Sequence, residues 1–150
     1  MRMARRVSPH EASELMESEG YVYVDVRSVA EFERGHPSGS MNVPLLDSVP
    51  ALGGMTPNPD FLPVMEKLFP RHARLIVGCQ MGGRSARAAQ LLEKAGFCAV
   101  VDQRAGFDGA KDPMGRLTEA GWSRAGLPVE VGASAERSWK ALAAKAREGR

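Results

Sequence analysis

The chain has 150 residues, 43% of them hydrophobic and 25% charged, and a formal net charge of +2. That length fits one domain that buries a sizeable core without disulfide or metal staples, and the composition is that of a soluble globular protein. The weak charge gives no ground for a nucleic-acid partner, no apolar run reaches membrane-spanning length, and the N-terminal arginines precede no apolar stretch of the secretory kind. Two cysteines, Cys79 and Cys98, make neither a disulfide framework nor a zinc-ligand spacing, so a reducing cytoplasm is the expected compartment. Basic residues at Arg2, Arg5 and Arg6, and again from Arg137 to Arg150, read as solvated ends.

In chain order, Ser8-Pro9-His10-Glu11 starts a helix, with Ser8 as cap, Pro9 in the first turn and Glu11 closing a capping box; Gly20 ends it. Tyr21 to Val26 is β-branched and aromatic and predicts a buried strand. A short helix follows over Val29–Arg34, stopped by Gly35. Met41-Asn42-Val43 predicts a short strand closed by Pro44. Leu46 to Pro59, with Pro50, Gly53, Gly54, Pro57 and Pro59, reads as a long loop of the kind that lines functional sites. Asn58-Pro59 opens a helix with apolar spacing at Phe61, Val64, Met65 and Leu68. Leu75-Ile76-Val77 is a second strong strand. Arg84 to Ala95 is helical and Gly96 stops it. Ala99-Val100-Val101 is another buried strand, and Cys98 at its entrance reads as a small buried residue. Ala105 to Gly132 reads as turns with short helices. Ala135 to Glu148 predicts a helix with Trp139, Leu142 and Ala146 on one side. Strands alternating with helices predict an α/β domain with a mainly parallel sheet covered on both faces. The expected organisation is one domain over residues 1–150, with a core of about 7–131 and a basic helical C-terminal tail of about 133–150.

The chemistry concentrates in Val77-Gly78-Cys79-Gln80-Met81-Gly82-Gly83-Arg84-Ser85-Ala86. This segment joins the carboxyl end of a strand to the amino end of a helix, where open α/β sheets bind ligands. Gly82 and Gly83 permit unusual backbone angles, so the loop can turn its N–H groups inward as an anion nest beside the positive end of the helix dipole. A thiol at the rim of such a nest is expected to ionise below the free value of about 8.5, and the thiolate is the nucleophile. Arg84 either reaches the bound anion or braces the loop from behind. Ser85 offers its hydroxyl to the sulfur or caps the helix.

Asp25-Val26-Arg27, Glu31-Phe32, Gly35-His36, Gly39 and Asn42-Val43-Pro44, followed by Gly53-Gly54-Met55, Asn58-Pro59-Asp60-Phe61, the Cys79 loop, Gly96-Phe97, Ala105-Gly106-Phe107 and Gly126-Leu127-Pro128, resemble the rhodanese-like domains, and among them the single-domain thiosulfate sulfurtransferases. The resemblance covers roughly Val7 to Val131. It implies a five-stranded, mostly parallel sheet with helices on both faces. It also implies transfer of a sulfane sulfur from a small donor such as thiosulfate, through a persulfide on Cys79, to cyanide, a thiol or a partner protein, by ping-pong covalent catalysis. The loop residues Gln80, Met81, Gly82, Gly83, Arg84 and Ser85 would bind the substrate and stabilise the persulfide charge. No metal or organic cofactor, no nucleic acid and no membrane are implied. Asp25, Arg27 and Glu31 read as structural support of the site, with Arg27 and Glu31 an ion pair at helical spacing. His36 is not needed as a base if the cysteine is already a thiolate.

The chain departs from the family pattern at Pro37, Ser40 and Ala105, and its segment from Gly109 to Trp122 is long and reads as a solvated excursion. Three other functions fit parts of the pattern. A phosphatase or arsenate reductase of the same fold carries a loop one residue longer than the four between Cys79 and Arg84, and usually His where this chain has Gly78. A non-catalytic binding module commonly lacks the cysteine. A sulfur carrier for a dedicated pathway shares the persulfide. Gln80 and Met81 leave Arg84 as the loop's only cation, so the mouth is expected to be neutral to weakly cationic.

Overall fold

A computed structural model describes residues 4–49 and 54–148. Pro50 and Gly53 of the expected loop, Arg2 of the N-terminal cluster and Arg150 lie outside the described residues. A five-stranded sheet carries the fold, formed by β1 (Arg5–Val7), β2 (Val22–Asp25), β4 (Met41–Asn42), β7 (Arg74–Gly78) and β8 (Ala99–Gln103). Its order is β1-β8-β7-β2-β4, every neighbouring pair is parallel, and β7 is the middle strand.

Side chains alternate across the sheet with the period of two that a pleated strand imposes. Val24, Leu75, Val77 and Val100 pack on one face against Met65 of α3 (Phe61–Leu68), Ala88, Ala89 and Leu92 of α4 (Gly83–Lys94), and Leu142 of α5 (Trp139–Glu148). Tyr23, Ile76 and Val101 pack on the other against Ala12 and Leu15 of α1 (Pro9–Glu19) and against Trp122. Each fully buried side chain of this kind contributes about 1.5–3 kcal/mol, so β7, buried on both sides, is the most firmly held strand. The expected α/β architecture with both faces covered is the observed one.

The helix starts follow the expected chemistry. Ser8 and Glu11 form a reciprocal capping box, and Gly20 closes α1 in the left-handed region at φ 68°. A second box, Ser28 with Glu31, opens α2 (Val29–Arg34).

Four local expectations are corrected. Arg5 and Arg6 are exposed, as expected of a solvated end, but with Val7 they form an edge strand beside β8 that was not expected. The expected loop from Leu46 to Pro59 contains an antiparallel ribbon, β5 (Leu46–Val49) paired with β6 (Gly54–Pro57); Pro57 sits at the ribbon's end, where a missing N–H is tolerated. The stretch from Ala105 to Gly132 holds strands as well as turns. Its hairpin is β9 (Gly109–Lys111) with β10 (Leu117–Ala120), and it is followed by a 3-10 turn at Trp122–Arg124 and by β11 (Val129–Glu130), which pairs with β3 (His36–Pro37). Cys98 is exposed, because the strand begins one residue later at Ala99.

The departures at Pro37, Ser40 and Ala105 fit this frame. Pro37 pairs with Val129 in the short β3–β11 ribbon. Ala105 is fully buried, and the Ser40 hydroxyl is buried without a hydrogen-bond partner. The C-terminal helix joins the core through Leu142 and Ala146, and the Asn42 N–H donates to the Arg137 carbonyl at 2.9 Å. Among the described residues no helix is long and apolar enough to cross a membrane.

Candidate active site

Cys79 follows the last residue of the middle strand, and α4 begins four residues later at Gly83. The thiol is 2% exposed. The Gly82 N–H donates to Cys79 Sγ at 3.1 Å. This is the expected inward-turned donor, and it is held by geometry that only glycine provides. Gly82 has φ +104°, and a methyl group there would overlap the Arg104 carbonyl. Gly83 differs from the expectation: its φ is not positive and nothing crowds it. One glycine, not two, makes the turn.

The loop is fixed from three sides. On the first, a methyl group on Gly78 would overlap the Tyr23 hydroxyl, so the residue before Cys79 must lack a side chain. On the second, the Phe107 and Asp108 N–H groups donate to the Cys79 and Gln80 carbonyls at 2.7 and 3.0 Å. Gly106, at φ +70°, lets that segment approach, since a side chain there would strike the loop backbone. Gln103 shapes the approaching turn: its amide donates to the Tyr23 hydroxyl and the Gly106 carbonyl, and its oxygen accepts from the Ala105 and Gly106 N–H groups at 2.8 and 3.0 Å.

On the third side stands a buried pair. Asp25 and Arg27 are 1% and 2% exposed. The Arg27 guanidinium donates to both Asp25 oxygens, to the Gly35 carbonyl at 2.6 Å and to the Gln80 side chain at 2.9 Å. It also lies 4.4 Å from the centre of the Phe107 ring. Arg27 therefore touches the loop directly, through the Gln80 side chain.

Glu31 pairs with Arg84, not with Arg27. The Arg84 guanidinium donates to both Glu31 oxygens at 2.7 and 2.9 Å. Arg27 precedes the helical residues of α2, so the helical-spacing rule does not apply to it. This geometry selects the bracing role for Arg84. Burial alone would raise the Glu31 carboxyl, but Arg84 and the Ser28 N–H and hydroxyl outweigh it and hold it at about 2. A carboxylate held low in the folded state stabilises it above the ordinary carboxylate value, and the benefit is lost as pH falls from about 4.5 to about 2. Both side chains are partly exposed, and solvent screening limits the gain to about 1 kcal/mol. Glu31→Gln is expected to flatten this acid limb in urea titrations at stepped pH. Arg84→Lys is expected to cost sulfur transfer more than its conserved charge suggests, since lysine cannot fill both carboxylate oxygens.

Ser85 sits in the first turn of α4, fully buried. Its Oγ lies 3.5 Å from Cys79 Sγ, 3.2 Å from the Gly82 carbonyl and 2.6 Å from Asp102 Oδ1. It takes neither expected role: Ser85 Oγ faces the sulfur but accepts from the Cys79 thiol, its own proton being directed to the Gly82 carbonyl or Asp102, and Gly82 occupies the cap position. Burial pushes the Asp102 carboxyl up, opposed by Ser85 and by the Arg6 guanidinium at 3.2 Å.

Beside the loop opens a cleft of about 230 Å³ lined by Arg27, Glu31, Arg34, Gly35, Gln80 and Phe107. Arg27 is paired with Asp25 and Glu31 with Arg84, so Arg34 leaves this mouth weakly cationic, in line with the loop's own residues. Met81 projects outward, 56% exposed, beside a second cleft lined by Arg6, Arg104 and Lys111. The Gly109–Ala120 hairpin contributes Lys111 and Glu119 to that cleft and so flanks the loop. His36 stands apart from the thiol, stacked on Phe32 at 3.6 Å with its Nδ1 2.7 Å from the Phe32 carbonyl oxygen. Sequence reasoning missed Arg34, Asp102 and Gln103.

Comparison with known proteins agrees with this geometry. The chain is 38% identical over 112 residues to thiosulfate sulfurtransferase 16, chloroplastic, of Arabidopsis thaliana, covering 75% of this chain and 82% of that protein. It is 38% identical over 111 residues to senescence-associated protein DIN1 of Raphanus sativus, of whose length it spans about half, 53%. The crystal structure of Rv0390 from M. tuberculosis superposes with a TM-score of 0.71 at 31% identity, over 87% of this chain and all of that one. The model of the rhodanese-like domain matches residues 8–112, a span that runs from the Ser8 cap through the sheet and the Cys79 loop to the start of the β9–β10 hairpin, and the chain belongs to the rhodanese-like domain family.

Proposed function

We propose that this protein is a sulfurtransferase whose Cys79 carries the transferred sulfur as a persulfide. The observation that carries the reading is the buried Cys79 sulfur facing the Gly82 N–H at 3.1 Å in a loop of fixed shape. The likeness to a thiosulfate sulfurtransferase supports the reaction class. In the first step the Cys79 thiolate attacks the outer sulfur of a donor such as thiosulfate. A new S–S bond forms, the donor's S–S bond breaks, and sulfite leaves with its electron pair. In the second step a thiol or cyanide attacks the outer persulfide sulfur, and the Cys79 thiolate is the leaving group. The Gly82 N–H is preorganised where negative charge resides on sulfur. With Arg27 paired to Asp25 and Glu31 to Arg84, Arg34 leaves the cleft weakly cationic, which suits a small anionic donor.

The reading requires no metal or organic cofactor. It requires a free thiol, which a reducing compartment such as the cytoplasm preserves. A thiol or protein acceptor would meet the loop at its outer rim, where Met81 is exposed. The deciding experiment is intact-protein mass spectrometry after incubation with thiosulfate: one added sulfur is expected, removed by cyanide with release of thiocyanate. No added sulfur on active protein, or aryl-phosphate hydrolysis that depends on Cys79, would displace this reading.

A further inference from the structure

Asp102 is 2% exposed, and the group paired with its other oxygen is the half-exposed Arg6 guanidinium, contacting it through a single nitrogen at 3.2 Å. A buried carboxylate so thinly compensated is expensive to keep charged. Register explains its position: Asp102 lies opposite Val77 on the neighbouring strand, level with the end of the strand that delivers the nucleophile. Its Oδ1 is 2.6 Å from Ser85 Oγ, a closer contact than the hydroxyl makes with the Gly82 carbonyl at 3.2 Å. The same Ser85 oxygen lies 3.5 Å from Cys79 Sγ. The three groups form a line from sulfur to hydroxyl to carboxylate.

A hydroxyl has one proton to give. While Asp102 is charged, Ser85 donates to it and can only accept from the Cys79 S–H. When Asp102 holds a proton, the order reverses: Asp102 donates to Ser85, and Ser85 donates to a thiolate. We propose that Asp102, acting through the Ser85 hydroxyl, takes the Cys79 thiol proton when the nucleophile forms and returns it afterwards. In the forward step the S–H bond breaks and its electron pair stays on sulfur, the proton joins Ser85 Oγ, and the former Ser85 proton joins Asp102 Oδ1. One negative charge moves from carboxylate to sulfur, toward the Gly82 N–H, and no charge is created in the dry interior. The charged and titratable groups facing Asp102 are Arg6 from β1 and, through Ser85 of α4, Cys79 from the loop. Asp102 is thus a positioning residue for the thiolate.

The inference concerns the thiol and rests on the sulfur-transfer reading only for its purpose, so its test reads the sulfur directly. Iodoacetamide alkylation rates are measured against pH in a Cys98→Ser background, which removes the exposed thiol, with melting temperatures in parallel. The unaltered site is expected to give a two-step profile, because one proton is shared between two coupled groups. Asp102→Asn is expected to give a single step, at least about one pH unit below the upper step, equivalent to at least about tenfold faster alkylation in that interval. Ser85→Ala is expected to lose the lower step and keep the upper one. If Asp102→Asn fails to fold, Ser85→Ala against the unaltered site decides alone. One-step profiles that coincide in all folded forms overturn the proposal. So does a Ser85→Ala profile that keeps both steps, which would mean coupling through space without the hydroxyl. If the profiles behave as expected and thiosulfate adds no sulfur, the sulfur-transfer reading fails and the proton assignment stands.

Discussion

Cys79→Ala is expected to reduce sulfur transfer to the uncatalysed background while the protein stays folded, and Cys98→Ala to leave transfer nearly intact. In the proposed mechanism, loss of the sulfur removes the atom to which the new bond forms. The structural cost is small. Removing one sulfur atom from the core leaves a modest void, costing about 1 kcal/mol, and the Gly82 N–H loses its acceptor, costing about 1 kcal/mol more. For a domain of this size that sum lowers the melting temperature by several degrees, roughly 4–8 °C. Cys98 is exposed, its thiol contacts the Arg71 carbonyl at 3.5 Å, and it precedes the start of β8, at the opposite end of the sheet from the loop. Thiocyanate release from thiosulfate and cyanide, with circular dichroism on the same samples, checks both variants. Equal losses from the two would sink a single-nucleophile mechanism.

The features legible in the sequence were those written in neighbouring residues. The Ser8–Glu11 box, the apolar runs at Tyr23–Val24 and Leu75–Val77, and the strand–Cys79–Gly82–Arg84–helix order each carry a local signal, and each stands where it was expected. What escaped depends on residues brought together across the chain. Asp102 reaches Ser85, and Gln103 reaches Tyr23, only because β8 lies beside β7 in one register. Slipping that register by one residue would turn both side chains to the opposite face. The role of Arg84 was open in sequence for the same reason: its partner Glu31 lies on another helix. The edge strand Arg5–Val7 has one buried apolar residue, too few for a periodic pattern. The Leu46–Pro57 ribbon is disguised by Gly54 and Pro57, residue types that occur in loops as readily as at a ribbon's edge.

The sharpest structural consequence falls on two adjacent glycines. Gly82→Ala is expected to destabilise the protein by roughly 2–5 kcal/mol and to abolish most transfer, whereas Gly83→Ala is expected to be neutral or stabilising by about 0.4–1 kcal/mol. A left-handed backbone costs an L-residue about 1–2 kcal/mol, and the overlap of the new methyl with the Arg104 carbonyl adds an overpacking cost of about 1–3 kcal/mol. Relief of that overlap requires the loop to turn, which moves the Gly82 N–H away from Cys79 Sγ. Gly83 is the first residue of α4, lies in open space and has no positive φ, so a methyl group there only narrows the unfolded ensemble. Gly106→Ala is expected to resemble Gly82→Ala, because its side chain would press on the Cys79 and Gln80 carbonyls. Urea denaturation and transfer rates measured on all three variants check the order. Matching losses at Gly82 and Gly83 would mean that the loop needs glycine for flexibility; the expected split means that it needs one residue of fixed, left-handed shape to aim an N–H at sulfur.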